Sequence, residues 1–232
     1  MALANRQAGS ATRSTFSSLL LVSLLAQLSF HRVEAKVAPA AAKESQSTAS
    51  ETRDLRSIFD EAHRERNAYH IEKSRKLFEE IARLGGTTYY GEHAQIILHT
   101  EFPKYPVSTA CENLYRKADS ALKSADFRDA LTYYTELIRL FPKFELGYAG
   151  LSDIYMHMED TEKAAQAARS ILAINENFVQ AWYILSHDAM AHQDLKGALD
   201  SATRAHELDP YNITISNLLN RLKDQAKAEE PD

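Results

Sequence analysis

The stretch VQAWYILSHDAMAHQDLKGALDSATRAHELDP, Val179 to Pro210, decides the fold. Moved back along the chain by 34 residues it falls on a second copy of its own pattern, and by another 34 on a third, so the whole of Leu114 to Pro210 is self-similar. Ala130, Ala164 and Ala198 coincide, and so do Asp126, Asp160 and Asp194. Leu114, Tyr148 and Trp182 form an apolar series in step with them, and Ala118, Ser152 and Ser186 a small-residue series. Pro142 and Pro210 close the first and third copies, with Glu176 at that place in the second. A fixed period in the range of 20–50 residues marks an array of supersecondary units, each covering its neighbour's apolar face.

Within one copy the pattern predicts two helices. In the last copy helix A runs over about Val179–Ala191 and helix B over about Leu195–Leu208. Trp182, Leu185 and Ala189 recur at helical spacing on the side facing helix B. Ser186 and Ala198 are small where the two helices cross, and a larger side chain there would overpack the contact. Asp194 stands in the turn, where its carboxylate accepts from the open first N–H groups of helix B. Pro210 follows helix B because proline cannot continue a helix. Tyr148, Leu151, Tyr155 and Ala164 repeat this logic in the second copy, and Leu114, Ala118, Phe127, Ala130 and Tyr134 in the first.

On these residues the chain resembles the tetratricopeptide repeat (TPR) family, whose unit carries an aromatic or apolar residue, a leucine, a small residue, an aromatic, then Ala, aromatic, Ala and Pro. The best copy is Trp182, Leu185, Ser186, Ala198, Ala202, Ala205 and Pro210, with Ala189 and Ala202 where the family has aromatics. The resemblance implies an all-α, right-handed helical-repeat solenoid of antiparallel helix pairs. Its units fall at residues 111–144, 145–178 and 179–212, followed by a capping helix and tail over 213–232. In the capping helix Leu218, Leu219 and Leu222 cover the last unit, and Arg221, Lys223, Asp224 and Lys227 face water.

Upstream the pattern is weaker. Residues 51–110 read as a helical segment containing a possible degenerate repeat: setting Phe78 on the Tyr134 place puts Ala62 on the small-residue series. Leu55, Ile58, Phe59 and Ala62 make one helical face, and Ile71, Leu77, Phe78, Ile81 and Leu84 a second, ended by Gly85-Gly86. A third helix is predicted over about residues 88–100, stopped at Phe102-Pro103, with Pro106 holding the connector extended. Residues 36–50 are small and polar and read as a flexible linker.

Residues 1–35 have the layout of a signal peptide: Arg6 and Arg13, an apolar run from Phe16 to Phe30, then Val33-Glu34-Ala35 as a small-residue exit before Lys36. The run is shorter than the ~20 residues that span a bilayer as a helix. The expected address is therefore the secretory pathway, extracytoplasmic or secreted. The alternatives are an uncleaved N-terminal anchor, the one expected contact with a membrane, and a mitochondrial or plastid transit segment.

The whole chain carries a net charge of −5, and an acidic body does not suit nucleic acid, whose recognition needs a basic stripe. Seven glycines and six prolines in 232 residues favour helices over a many-turned β fold. The single cysteine, Cys111, excludes an intrachain disulfide and a cysteine-based zinc site. A Gly-rich phosphate loop, an HExxH pair and a Ser/His/Asp arrangement are all missing from the sequence, so no enzyme, cofactor or metal is expected. Asp153 and His187 occupy equivalent places of adjacent units with His157 one turn below Asp153, but nothing fixes further ligands around them.

The family resemblance implies a concave groove lined by helix A, where a protein or peptide partner lies. Its places hold Tyr115, Asp119 and Leu122 in the first unit, Leu146, Asp153, Met156 and His157 in the second, and Gln180, Tyr183, His187 and Met190 in the third. Tyr and Met supply adaptable apolar contact, which suits helix-in-groove or extended-peptide binding. The competing reading is that these residues pack on the chain's own N-terminal helices. Family members that hold the acidic C-termini of heat-shock chaperones use Lys, Asn and Arg there. Here Tyr115, Asp119, Gly150, Gln180 and Ile184 stand in those places, and Asp119 would repel a carboxylate, so such tails are not expected partners.

The leading expectation is thus a non-enzymatic interaction scaffold. A structural subunit of a larger membrane or organelle assembly is one alternative. A secreted effector-like repeat protein is another, since Arg53-Asp54-Leu55-Arg56 resembles the RxLR motif of oomycete effectors, although the same residues also read as the basic start of an amphipathic helix. Asn212-Ile213-Thr214 is a sequon for glycosylation at Asn212 in a eukaryotic secretory pathway.

Overall fold

The computed structural model describes residues 46–229, with side chains from 55 to 228. The expected signal or anchor over 1–35 and residues 36–45 of the expected linker lie outside them. Ten helices follow in order: α1 Gln46–Asn67, α2 Ile71–Gly85, α3 Tyr89–Thr100, α4 Thr109–Lys123, α5 Phe127–Leu140, α6 Glu145–His157, α7 Thr161–Ile174, α8 Val179–Ala191, α9 Leu195–Leu208 and α10 Ile213–Glu229. The described residues contain no strand. Two boundaries differ from expectation. Residues 46–50 belong to α1 rather than to a linker, and α4 begins at Thr109, where Ser108 caps it by accepting from Cys111 N–H.

Helices pack as sequential antiparallel hairpins, α4 with α5, α6 with α7 and α8 with α9, each hairpin stacking on the next. This is the helical-repeat solenoid of the TPR kind. The turn inside each hairpin explains the aspartate series. Ala125, Glu159 and Gln193 adopt positive φ (56°, 61° and 60°) and end helix A. The next residue's N–H reaches back to the carbonyl five residues earlier: Asp126 to Ala121, Asp160 to Tyr155, Asp194 to Ala189. The same aspartates then turn their side chains forward and accept from Asp129, Lys163 and Gly197 N–H, capping helix B. One residue thus closes helix A through its backbone and opens helix B through its carboxylate.

The small-residue series marks the helix crossing. Ser152 Oγ donates to the Ala164 carbonyl at 3.2 Å and Ser186 Oγ to the Ala198 carbonyl at 2.9 Å, all fully buried. Gly150 is small for another reason: a Cβ there would enter the Tyr134 ring, which is itself buried.

The α1–α2 hairpin carries the same geometry 56 residues upstream of α4–α5. Tyr69 takes positive φ (64°) at the Ala125 place, and His70 N–H reaches the Glu65 carbonyl. Ser74 Oγ donates to the Ala62 carbonyl at 2.8 Å, so the crossing is bonded again with the donor on the other helix. His70 stands where the aspartate is elsewhere, and its side chain makes no cap bond to α2. The step is 56 rather than 34 because α3 and the connector that follows are inserted between the two hairpins.

Gly85 and Gly91 let α3 lie tightly on α2; a Cβ on Gly85 would meet Gly91 Cα at 2.8 Å. The connector after α3 is held by side chains rather than by secondary structure. Phe102 and Pro103 are buried, Arg75 donates to the Pro103 carbonyl, and Val107 N–H donates to Glu72. Fully buried Glu145 accepts from Lys104 N–H, and burial raises its carboxyl above the usual range. Cys111 is buried nearby, with its thiol pushed up to about 12 by desolvation. At the other end α10 begins 34 residues after α8, so it takes the helix A place of a further unit. Its Leu218, Leu219 and Leu222 bury themselves against Ala198 and Ala202.

Candidate partner-binding face

The residues at the groove places all lie on the A helices α4, α6 and α8, and the structure sorts them into two groups. The first is already engaged. Tyr115 packs edge-on to Tyr69 (5.7 Å between ring centres) and Phe144 (5.4 Å) and lies beside Tyr134. Asp119 accepts from the Tyr69 hydroxyl at 2.6 Å, pairs with Lys123 at 2.7 Å and meets the Tyr134 hydroxyl at 3.5 Å. Leu122 and Leu146 are half-buried against the same core. The α1–α2 hairpin reaches this place through Tyr69, whose positive φ swings its ring toward α4. Here the chain's own N-terminal helices do pack on groove positions, and Tyr69 is the participant that the sequence reading missed. Its place on the Ala125 series was the available signal.

Asp153 links the two groups. It accepts from Gln180 Nε2 at 2.8 Å, across from α8 to α6. Burial, and then the neighbouring Asp119 charge, push its carboxyl up to about 7, while the Gln180 bond opposes the rise. The second group is less committed. Met156 is half-buried against the middle core, and His157 is exposed at the end of α6 with its ring 5.2 Å from Phe127. Tyr183 and His187 stack edge to face at 4.6 Å, and His187 Nε2 is buried with no hydrogen-bond partner among the described residues. Burial, then the charge of Arg221 on α10, lowers the His187 pKa. Met190 is 38% exposed and lines a cleft of about 430 Å³ with Gln193, Leu195, Leu222 and Gln225. The sequence pattern sent Arg221 to solvent; the structure leaves it exposed, with its charge felt at both Tyr183 and His187.

The neighbouring places expected of Asp153 and His187 resolve differently: the partner of Asp153 on α8 is Gln180, not His187. Among the described residues no three His, Cys, Asp or Glu side chains converge as metal ligands. Asn212 accepts from Thr214 and Ile215 N–H at the start of α10, so the sequon coincides with a helix cap.

The corresponding places on α1 are Phe59, His63 and Arg66, and these are covered by α3. Phe59 lies 5.5 Å from the Tyr90 ring, and Arg66 pairs with Glu101 just beyond α3. His63 is half-buried against Phe59 and Phe78; desolvation, then Arg66, lowers its pKa to about 4. The A-helix face of the first hairpin thus already meets α3 at Phe59 and the residue after α3 at Arg66.

The solved structures that the chain is similar to include several TPR domains. The chain is similar to the Arabidopsis OM64 TPR domain, at 23% identity over 50% of this chain and 95% of that one, with a TM-score of 0.47. It is similar to the first TPR of Spaghetti (RPAP3) bound to an HSP90 peptide, at 21% identity over 57% and 99%, TM-score 0.49. It is also similar to the Yersinia enterocolitica type III secretion chaperone SycD in complex with a peptide of the translocator YopD, at 17% identity over 52% and 97%, TM-score 0.48. No family model matches the chain, and no curated protein matches it.

Proposed function

We propose that this protein is a non-enzymatic interaction scaffold that holds a segment of a protein partner on the A-helix face of its last two full units. One observation carries the reading: on α1 Phe59 meets Tyr90 of α3 and Arg66 pairs with Glu101 just beyond it, and on α8 Tyr183, His187 and Met190 occupy the places of Phe59, His63 and Arg66. The chemistry is that of helix-in-groove recognition, with an aromatic anchor, an imidazole and a flexible methionine. Tyr115 and Asp119 belong to the engaged part of the face, so they are supports rather than contacts.

The test is site-specific photo-crosslinking in cells, with the crosslinker in turn at Met156, at Met190 and at the exposed Glu162 on α7. A common partner caught from the first two positions and not from the third is the expected result. Equal capture from all three positions, or from Glu162 alone, refutes the face. We also propose that residues 1–35 are an export signal removed before Lys36. Sequencing the N-terminus of the mature protein checks this, and a chain starting at Met1 or Ala2 refutes it.

A further inference from the structure

The two ends of the solenoid meet, 119 residues apart in sequence, at a contact no repeat unit predicts. The Tyr211 hydroxyl donates to Glu92 on α3 at 3.0 Å. Its ring lies over His93 with 4.4 Å between centres, and Tyr89 adds an edge at 6.4 Å. Asp209, two residues before Tyr211, senses the charges of both Glu101 and His93.

The α3 helix is bound very differently on its two sides. Toward α1 and α2 it buries Gly91, Ala94, Ile97 and Thr100 and makes the tight Gly85–Gly91 approach. Toward the 209–211 turn it offers one hydrogen bond and two ring contacts, in which Tyr89 is 52% and Tyr211 47% exposed. An exposed hydrogen bond of this kind contributes little net free energy, because water replaces it readily. Separation would therefore occur at the turn, leaving α3 on the first hairpin. The hairpins in between are joined mainly to their neighbours, and such an array deforms by small rotations at each interface.

We propose that this seam is a latch: it closes the solenoid across its A-helix face, and a partner segment reaches that face only when the seam opens. The second clause rests on the partner-binding reading above; the first does not.

Two readouts on the full chain test it without any partner. Spin labels at Gln95→Cys and Glu207→Cys, both exposed, report the distance across the seam, while buried Cys111 stays unlabelled. The expected result is a short, narrow distance distribution that lengthens and broadens with Tyr211→Ala, at unchanged helical content. Tyr211→Phe, which keeps the ring and loses the hydrogen bond to Glu92, should fall between. In the second readout, Met156→Cys should react with a bulky maleimide several-fold faster when Tyr211 is Ala, while Glu162→Cys on the outside keeps its rate. A distance that Tyr211→Ala leaves short and narrow overturns the latch, and so does a long distance already present in the parent. A lengthened distance with no gain in Met156→Cys reactivity overturns the control of access. Crosslinking that shows no partner on the face leaves both readouts standing and counts only against the binding reading.

Discussion

Asp153 shows how a single side chain records its surroundings. Its carboxyl is pushed up to about 7 from 3.8, so the folded state holds that proton more tightly than the unfolded one. Below pH ~4 both states are protonated and the group has no effect on stability. As pH rises from there through 7, stability is lost, and above 7 the penalty is complete. Asp153→Asn keeps an acceptor for Gln180 and removes the charge. It should flatten this decline, leave the melting temperature at about pH 3 unchanged, and raise it at about pH 8 by roughly 2–4 °C for each kcal/mol relieved. Thermal unfolding at the two pH values decides it. Ala125 offers a second residue-scale test. An alanine at φ 56° bears a left-handed strain of about 1–2 kcal/mol, against a glycine entropy cost of about 0.5–1 kcal/mol. Ala125→Gly should therefore stabilise the chain by about 0.5–1 kcal/mol in denaturant titration.

At the scale of the element, the helix pair owes its sharp turn to one aspartate used twice. Asp194→Ala keeps the backbone bond to Ala189 and removes the cap on Gly197 N–H. A loss of about 1 kcal/mol is expected, read from the urea midpoint. These elements were legible in the sequence because their determinants are local. Asp126, Asp160 and Asp194, the small residues at the crossings, and Gly85-Gly86 with its positive φ at Gly86 all act within one hairpin or one turn. The helix bounds of the last unit, Val179–Ala191 and Leu195–Leu208, follow directly from them. The α1–α2 hairpin was harder to read because His70 replaces the aspartate and Ser74 the alanine, while the geometry survives.

At the scale of the molecule, stability is a chain of neighbour contacts closed at one end by α10. Leu222→Ala removes a side chain 1% exposed, and such a core truncation costs about 2–5 kcal/mol. In a solenoid that loss is local. Hydrogen exchange should quicken in α8–α10 first, while α1–α3 keep their protection; uniform loss of protection would mean the array unfolds as one unit. The candidate face was only half legible. Gln180, Tyr183, His187 and Met190 were assigned to it by the family resemblance, and the engagement of Tyr115 and Asp119 by Tyr69 was not foreseen.

The sequence by itself determined the hairpins, their turns and caps, and the stacking order, because each rests on side chains that meet within one 34-residue period. Only the tertiary structure decided where α3 lies, which groove places it and Tyr69 occupy, and that Tyr211 meets Glu92 and His93. The Tyr69 and Tyr211 contacts join residues 50 and 119 positions apart, beyond the reach of any one unit. The Tyr211 contact forms only once every hairpin between α3 and the 209–211 turn has stacked, an outcome no single unit encodes.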